Sequence, residues 1–314
     1  MATSTQQPAA PTAGAPAPRR RRGSRRFSGR DKLVLGLMLG VPTVLHVALV
    51  WLPAVLSVVL SFGKWDGIGG VSSIKWVGAD NYHQIATNYP PFWPAVHHNL
   101  YWLGVLLLIG TPLGLFFAIL LDKELKGSRF YQSALYTPVV LSLALVGFIW
   151  TLIYSNDQGL INNAFGSHVD WLGNPKVNIW AVLVAATWKH VGYIMVLYLA
   201  GLKSVDTSIK EASSIDGATE VQTFRYVVFP ALRPVNVVVL VVTVIESLRA
   251  FDIVYILNGG TNGLELLSVL ITQNILGEAS RLGFGSAIAV ILLVISLTFI
   301  ITYLVNTFRR EAES

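Results

Sequence analysis

The stretch Gly285–Thr307 reads GSAIAVILLVISLTFIITYLVNT, an unbroken run without Asp, Glu, Lys or Arg. A helix rises about 1.5 Å per residue, so about 20 apolar residues cross the hydrocarbon of a bilayer. In hydrocarbon each backbone N–H and C=O must be bonded within its own segment, which leaves the helix as the conformation for such a run. One crossing anchors a chain. The fold depends on how many more there are.

Working outward from that run, the same absence of charge recurs. Asn99–Leu121 and Ser133–Tyr154 contain no Asp, Glu, Lys or Arg, and between Leu33 and Gly63 the only ionisable side chain is His46. This is why the 314-residue chain is 53% hydrophobic and 13% charged, about half the charge of a soluble domain. Six spans are expected, near residues 33–61, 99–121, 133–154, 177–202, 232–257 and 285–308. The fourth is the least regular, because Lys189 and His190 fall at its middle. Pro42 and Pro53 should kink the first. Gly36–Gly40 and Gly110–Gly114 have the spacing of helix-packing seams. The fold class is therefore all-α, a polytopic membrane protein. With no cysteine in the chain, disulfides, thiolate catalysis and cysteine-bound zinc are excluded.

Residues 1–30 differ in kind. Met1–Pro18 is rich in Ala, Pro, Thr and Gln, a composition expected to be disordered. Arg19–Arg22, Arg25, Arg26 and Arg30 follow. Such a run is able to bind nucleic acid or anionic lipid. Directly before an apolar span it reads as an orientation signal, with no nucleic-acid partner expected. The tail is then cytoplasmic, and six crossings place 122–132, 203–231 and the 311–314 tail on the same side. Lys123, Lys126, Arg129, Lys203, Lys210 and Arg225 agree, against Lys64, Lys75, Lys176 and Arg281 in the outer loops. Trp51, Trp65, Trp93, Trp102, Trp150, Trp171 and Trp180 fall near span ends or in outer loops, as membrane-interface aromatics do.

The long inner loop reads KSVDTSIKEASSIDGATEVQTFRYVVFPA from Lys203 to Ala231. Asp206 is a good N-cap for a helix running to about Asp216. Gly217 should then turn the chain into a second short helix toward Val228. Pro230 and Pro234 set the entry to the fifth span. The small residues Ala212, Ser213, Ser214, Gly217 and Ala218 would let this segment sit in a groove on a partner, with Ile209, Ile215 and Phe224 as apolar anchors.

EASSIDGA at 211–218 followed by FRYVVFP at 224–230 resembles the EAA motif of binding-protein-dependent ABC importer permeases. WLPAVLSVVLSFGKWDG (51–67), WVGADNYHQI (76–85), LYTPVVLSLALVGFIWTLIY (135–154), Trp188–Lys189 and FDIVYILNGG (251–260) are similar to the carbohydrate-uptake subfamily, nearest to its maltose-type first permease. Ser213 replaces the usual second alanine, Asp206 stands where a proline is common, and Thr261–Asn262–Gly263 departs from the usual Gly-Pro.

The resemblance implies a type I ABC importer-like permease domain over 31–310, with a cytoplasmic coupling helix at about 206–218. Glu211, Ala212, Ser213, Asp216, Gly217 and Ala218 would meet an ATP-binding subunit dimer. It also implies a second permease subunit, an extracytoplasmic solute-binding protein, a carbohydrate substrate and residence in the bacterial plasma membrane.

The chain itself carries no Gly-x-x-x-x-Gly-Lys-Ser/Thr phosphate loop, no His-Glu-x-x-His and no Gly-x-Ser-x-Gly, so it is not expected to be an enzyme or to hold a metal or cofactor. ATP and magnesium would be held by the partner. Charges within spans usually face a cavity or a partner. Glu246 and Arg249 lie three apart on one helix face, and Lys189 is the third such charge. They are candidates for the substrate pathway, or else form a structural ion pair. The competing function, an ion-coupled secondary transporter, calls for inverted repeats that the sequence does not show.

Overall fold

The computed structural model describes residues 28–123, 126–277 and 280–312. By contacts the chain falls into two compact units, Met1–Pro53 and Ala54–Ser314. Most of the expected basic tail, 1–27, lies outside the described residues, as does the end of the 311–314 tail.

In the first unit, α1 (Gly29–His46) starts from Ser28, whose backbone N–H bonds the Asp31 carboxylate. No residue of α1 is buried. Pro42 sits inside α1, and a π-helical turn, Val47–Trp51, precedes α2 (Leu52–Leu60). Pro53 has no N–H to give a regular helical bond, which accounts for irregular hydrogen bonding in this neighbourhood.

The second unit is almost wholly helical. A two-residue antiparallel pair, β1 (Gly63–Lys64) with β2 (Lys75–Trp76), leads to α3 (Asp80–Asn88). Then come α4 (Phe92–Val105), a π turn at Leu106–Gly110 and α5 (Thr111–Asp122). After these follow α6 (Ser128–Val140), α7 (Leu143–Ile153), α8 (Leu160–Phe165) and α9 (Asn178–Ser204). The 203–231 loop forms α10 (Thr207–Ile215), α11 (Glu220–Thr223), a π turn at Phe224–Val228 and α12 (Phe229–Ala231). The chain ends in α13 (Arg233–Leu248), α14 (Asp252–Asn258), α15 (Leu267–Leu276) and α16 (Leu282–Ala312).

Four runs, Gly29–Leu60, Phe92–Asp122, Asn178–Ser204 and Leu282–Thr307, are long and apolar enough to cross a membrane. Two bent pairs bring the number to six if each is one span. The third expected span is one of them: α6 and α7 meet at 102°. Leu141 and Ser142 are extended between them, and the Ser142 hydroxyl accepts the Leu145 N–H to start α7. Pro138 precedes the break. It lies inside α6 and has no N–H for the Ala134 carbonyl, which weakens the last turn of the helix. The other pair is bent by 72° at Leu232, with Pro230 and Pro234 on either side. The fifth span is interrupted again at Arg249–Phe251, where Phe251 leaves the helical conformation with φ −142° and ψ −59°. The loops between spans also hold more order than expected: α4 starts at Phe92 rather than Asn99, and α15 lies inside what the sequence presents as loop 258–284.

Burial ranks the spans. In the most apolar window of α9, 56% of residues are buried, against 6% for α16. α9 is thus the central helix, which explains how it carries Lys189 and His190 at mid-span: they face protein, not hydrocarbon. Gly114 on α5 lets the backbone meet Ile194, whose Cγ2 would lie 2.7 Å from an added Cβ. Gly110 meets His190 in the same way, so Gly110–Gly114 is a packing seam. Gly36 and Gly40 face open space. One apolar core gathers Trp102, Val146, Val182, Leu183, Val254 and Leu266, and a second Ala118, Ile194, Met195, Leu199, Leu232 and Val239. Trp102 is only 2% exposed, so it is a core residue and not an interface aromatic. Trp51, Trp93 and Trp180 are exposed as expected.

Candidate functional site

A cavity of about 370 Å³ opens where α9 passes the ends of α6 and α13. Its walls include Trp102 from α4, Val139 from α6, Lys189, His190 and Tyr193 from α9, Glu246 from α13, Arg249 and Phe251 from the break before α14, and Asp252 from the start of α14. The volume falls within the range of small-molecule sites. All three in-span charges singled out from sequence therefore line one space. Two of them owe their position to local breaks: α6 stops at Val140 and α13 at Leu248, leaving room beside the continuous α9.

The charges do not pair with one another. Among the described residues no ion pair joins Glu246 to Arg249 or to Lys189. Lys189 Nζ instead donates to the carbonyls of Val139 at 3.3 Å and Leu141 at 3.2 Å. Those carbonyls belong to the frayed end of α6, where the helix dipole is negative and intrahelical donors are missing. Lys189 so closes the break in the third span. Glu246 finds His190, with Nδ1 3.0 Å from Oε2. His190 is 2% exposed, while half of the Glu246 side chain stays open to the cavity. Arg249 is exposed and reaches the cavity beside Asp252. His190 was legible only as an irregularity in the fourth span. Its role needs the contact across to α13, separated by 56 residues in sequence.

The second group of candidates sits on the 203–231 loop. Asp206 caps α10, its carboxylate accepting the Ser208 N–H at 2.9 Å. That hydrogen bond, with the Ser208 hydroxyl, holds Asp206 below the usual carboxylate range. α10 ends at Ile215, and Gly217 follows at φ +81° with nothing near the position of a Cβ. The Ala218 N–H returns to the Ser213 carbonyl at 3.0 Å and the Gly217 N–H to Ser214 at 3.1 Å, a left-handed helix stop.

The exposed face carries Glu211, Ala212, Ile215, Asp216 and Gly217. Ser213 turns the other way: it is buried, donates to the Lys210 carbonyl and bonds the Thr223 hydroxyl at 3.0 Å. Ala218 is half-buried. Ile209 and Ile215 are exposed anchors, but Phe224 packs into the second core against Phe229. It is not an outward anchor, because the π turn at Phe224–Val228 rotates it inward. Ion pairs of Asp122 with Lys210 at 3.3 Å and Lys203 at 3.9 Å tie this loop to the end of α5. Lys123 pairs with Glu220 at 2.6 Å, and its hydrogen bond and charge lower the Glu220 carboxyl. The Lys123–Glu220 pair is exposed and sets position more than stability, while Asp122 and Lys210 are half-buried. Among the described residues no cluster of three or more His, Asp or Glu is placed to hold a metal.

Residues 110–313 match the family described as the inner membrane component of binding-protein-dependent transport systems. That range holds Lys189, His190, Glu246, Arg249 and the whole of α10. The trehalose/maltose transport system permease MalF of Thermococcus litoralis is 33% identical over 241 residues, which cover 75% of this chain and 81% of that protein. The xylose/arabinose import permease XacH of Haloferax volcanii is 31% identical over 278 residues, covering 86% and 87%. Among solved structures, a bacterial ABC transporter involved in import of the acidic polysaccharide alginate superposes with a TM-score of 0.76. It is 21% identical over 89% of this chain and 96% of that one, a likeness of fold.

Proposed function

Because the chain belongs to the family of inner membrane components of binding-protein-dependent transport systems, we propose that it is a permease subunit of an ATP-driven importer of carbohydrate, working by alternating access. It is a multi-pass membrane protein and is not itself the catalyst. The observation that carries the reading is the cavity. It lies beside the most buried span and combines apolar and aromatic wall residues with a few charged groups. Sugars present both kinds of surface: ring C–H faces for Tyr193 or Phe251, and hydroxyls for Glu246, Arg249 and Asp252. Hydrogen bonds to such charged groups contribute about 1.5–3 kcal/mol each. The relatives named for trehalose, maltose, xylose and arabinose support the same substrate class.

The partners follow from what the chain lacks and exposes. ATP hydrolysis, with its magnesium, belongs to a separate ATP-binding subunit dimer, which α10 and Gly217 meet through Glu211, Ala212, Ile215 and Asp216. Ser213 supports that surface from inside, and Ala218 closes its end. A second, different permease completes the pathway, and an extracytoplasmic binding protein delivers the solute. Both termini and α10 face the cytoplasm.

The test is reconstitution of the full transporter in proteoliposomes, with labelled maltose, trehalose, xylose and arabinose as probes. Uptake of one of them is expected to require ATP inside and binding protein outside, and to survive collapse of proton and sodium gradients. Uptake driven by an ion gradient without ATP would overturn the reading.

A further inference from the structure

We propose that His190 is the positioning residue of this cavity: it holds one oxygen of Glu246 so that the other is presented to the solute. The proposal rests on the reading of the cavity as a substrate site and says how its carboxylate is set.

The hydrogen bonds hold the ring on both sides. Thr243 donates its hydroxyl proton to the Val239 carbonyl at 2.8 Å. Its oxygen can therefore only accept from His190 Nε2, which lies 3.3 Å away. Thr111 sits on the same side, 3.5 Å from Nε2 and 3.3 Å from the Thr243 oxygen, and its hydroxyl is free to donate to Thr243. Nε2 is thus held between the two hydroxyls, donating to Thr243 or accepting from Thr111 according to the tautomer. On the other side, Nδ1 faces Glu246 Oε2 at 3.0 Å. Two lone pairs would repel at that distance, so a proton lies between Nδ1 and Oε2 and binds them. The ring is 2% exposed and has no room to swing: an added Cβ on Gly110 would already lie 2.9 Å from its Cδ2.

Glu246, by contrast, has half its side chain open to the cavity. With Oε2 engaged, Oε1 is left as the acceptor facing the space. A long, mobile carboxylate becomes a fixed one. The other charged groups around the space do not compete for Oε2: Lys189 is spent on the Val139 and Leu141 carbonyls, and no ion pair joins Glu246 to Arg249 among the described residues. Preorganisation of this kind shows as affinity for the solute, since the ordering cost is met before it arrives.

The experiment uses the reconstituted transporter and the same four sugars. His190→Leu keeps the size without a donor and His190→Gln restores one. His190→Leu is expected to raise KM about tenfold with a smaller change in Vmax, about 1.4 kcal/mol of binding. His190→Gln should return KM to within about threefold of the parent. In a Glu246→Ala background, which removes the contact, His190→Leu should add nothing, because its effect passes through Glu246. Effects that multiply in the double variant, or a loss of assembled complex with KM unchanged, would overturn the positioning role. Normal uptake by Glu246→Gln would instead overturn the site reading, and this proposal with it. A readout that needs no solute is the ¹⁵N spectrum of histidine-labelled protein. The resonances missing in His190→Gln should shift in Glu246→Gln, and their indifference to that change would refute the contact.

Discussion

At the scale of single residues, Glu246 and Gly217 carry the sharpest expectations. Glu246→Gln keeps an oxygen for His190 while removing the charge presented to the cavity. Uptake affinity should fall at least tenfold while the complex assembles in parental yield, measured by transport kinetics beside size-exclusion profiles. A collapse in yield would show that the pair serves packing, since breaking a buried ion pair costs about 3–5 kcal/mol. At Gly217 the φ of +81° is costly for a residue with a Cβ, about 1–2 kcal/mol. Asn tolerates that region better than Leu. No neighbour crowds the site, so an Asn there should preserve uptake and Gly217→Leu should abolish it. Equal uptake by both variants would remove the glycine from the coupling surface. The sequence pointed to Gly217 because turn chemistry is local. It left the Glu246 partner open between Arg249 and Lys189, because spacing along one helix says nothing about α9.

At the scale of elements, the break between α6 and α7 is the feature most open to attack. Lys189 bonds two carbonyls there, and a hydrogen bond to a charged group is worth about 1.5–3 kcal/mol. Lys189→Met should lower the thermal midpoint of the complex, and Lys189→Arg should recover most of it. An unchanged midpoint for Lys189→Met would place its role in substrate contact alone. The N-terminus of α10 has a pH signature. Asp206 is held below its ordinary range by the Ser208 N–H, so its cap stabilises the helix above the unfolded carboxylate pKa. That contribution is lost as pH falls through the lowered value. Amide hydrogen exchange in α10 should therefore quicken in Asp206→Ala at neutral pH, and the difference from the parent should vanish in acid. A difference that persists in acid would assign the protection to something other than the carboxylate.

At the scale of the whole molecule, the chain's lack of cysteine makes its topology directly testable. Ser214 and Asn174 lie on opposite sides of the membrane in the proposed arrangement. An impermeant thiol reagent applied to intact cells should label Asn174→Cys and spare Ser214→Cys until the membrane is opened. Labelling of the Ser214 variant from outside would invert the arrangement and remove α10 from the ATP-binding side.

What the sequence by itself determined was everything governed by solvent and by local geometry. Four of the six expected spans follow from charge-free length, because hydrocarbon rejects unpaired charge and backbone alike. Their direction is argued from arginine placement, and α10 with its cap and glycine stop from side chains bonding their own backbone. Only the tertiary structure decided where apolar helices break, since Ser133–Tyr154 carries no Asp, Glu, Lys or Arg on either side of the 102° bend. It likewise decided that Trp102 is buried, that Phe224 and Ser213 turn inward, and that Glu246 meets His190. Each of these rests on a neighbour distant in sequence, and hydrophobic pattern records that a residue avoids water without recording which residue covers it.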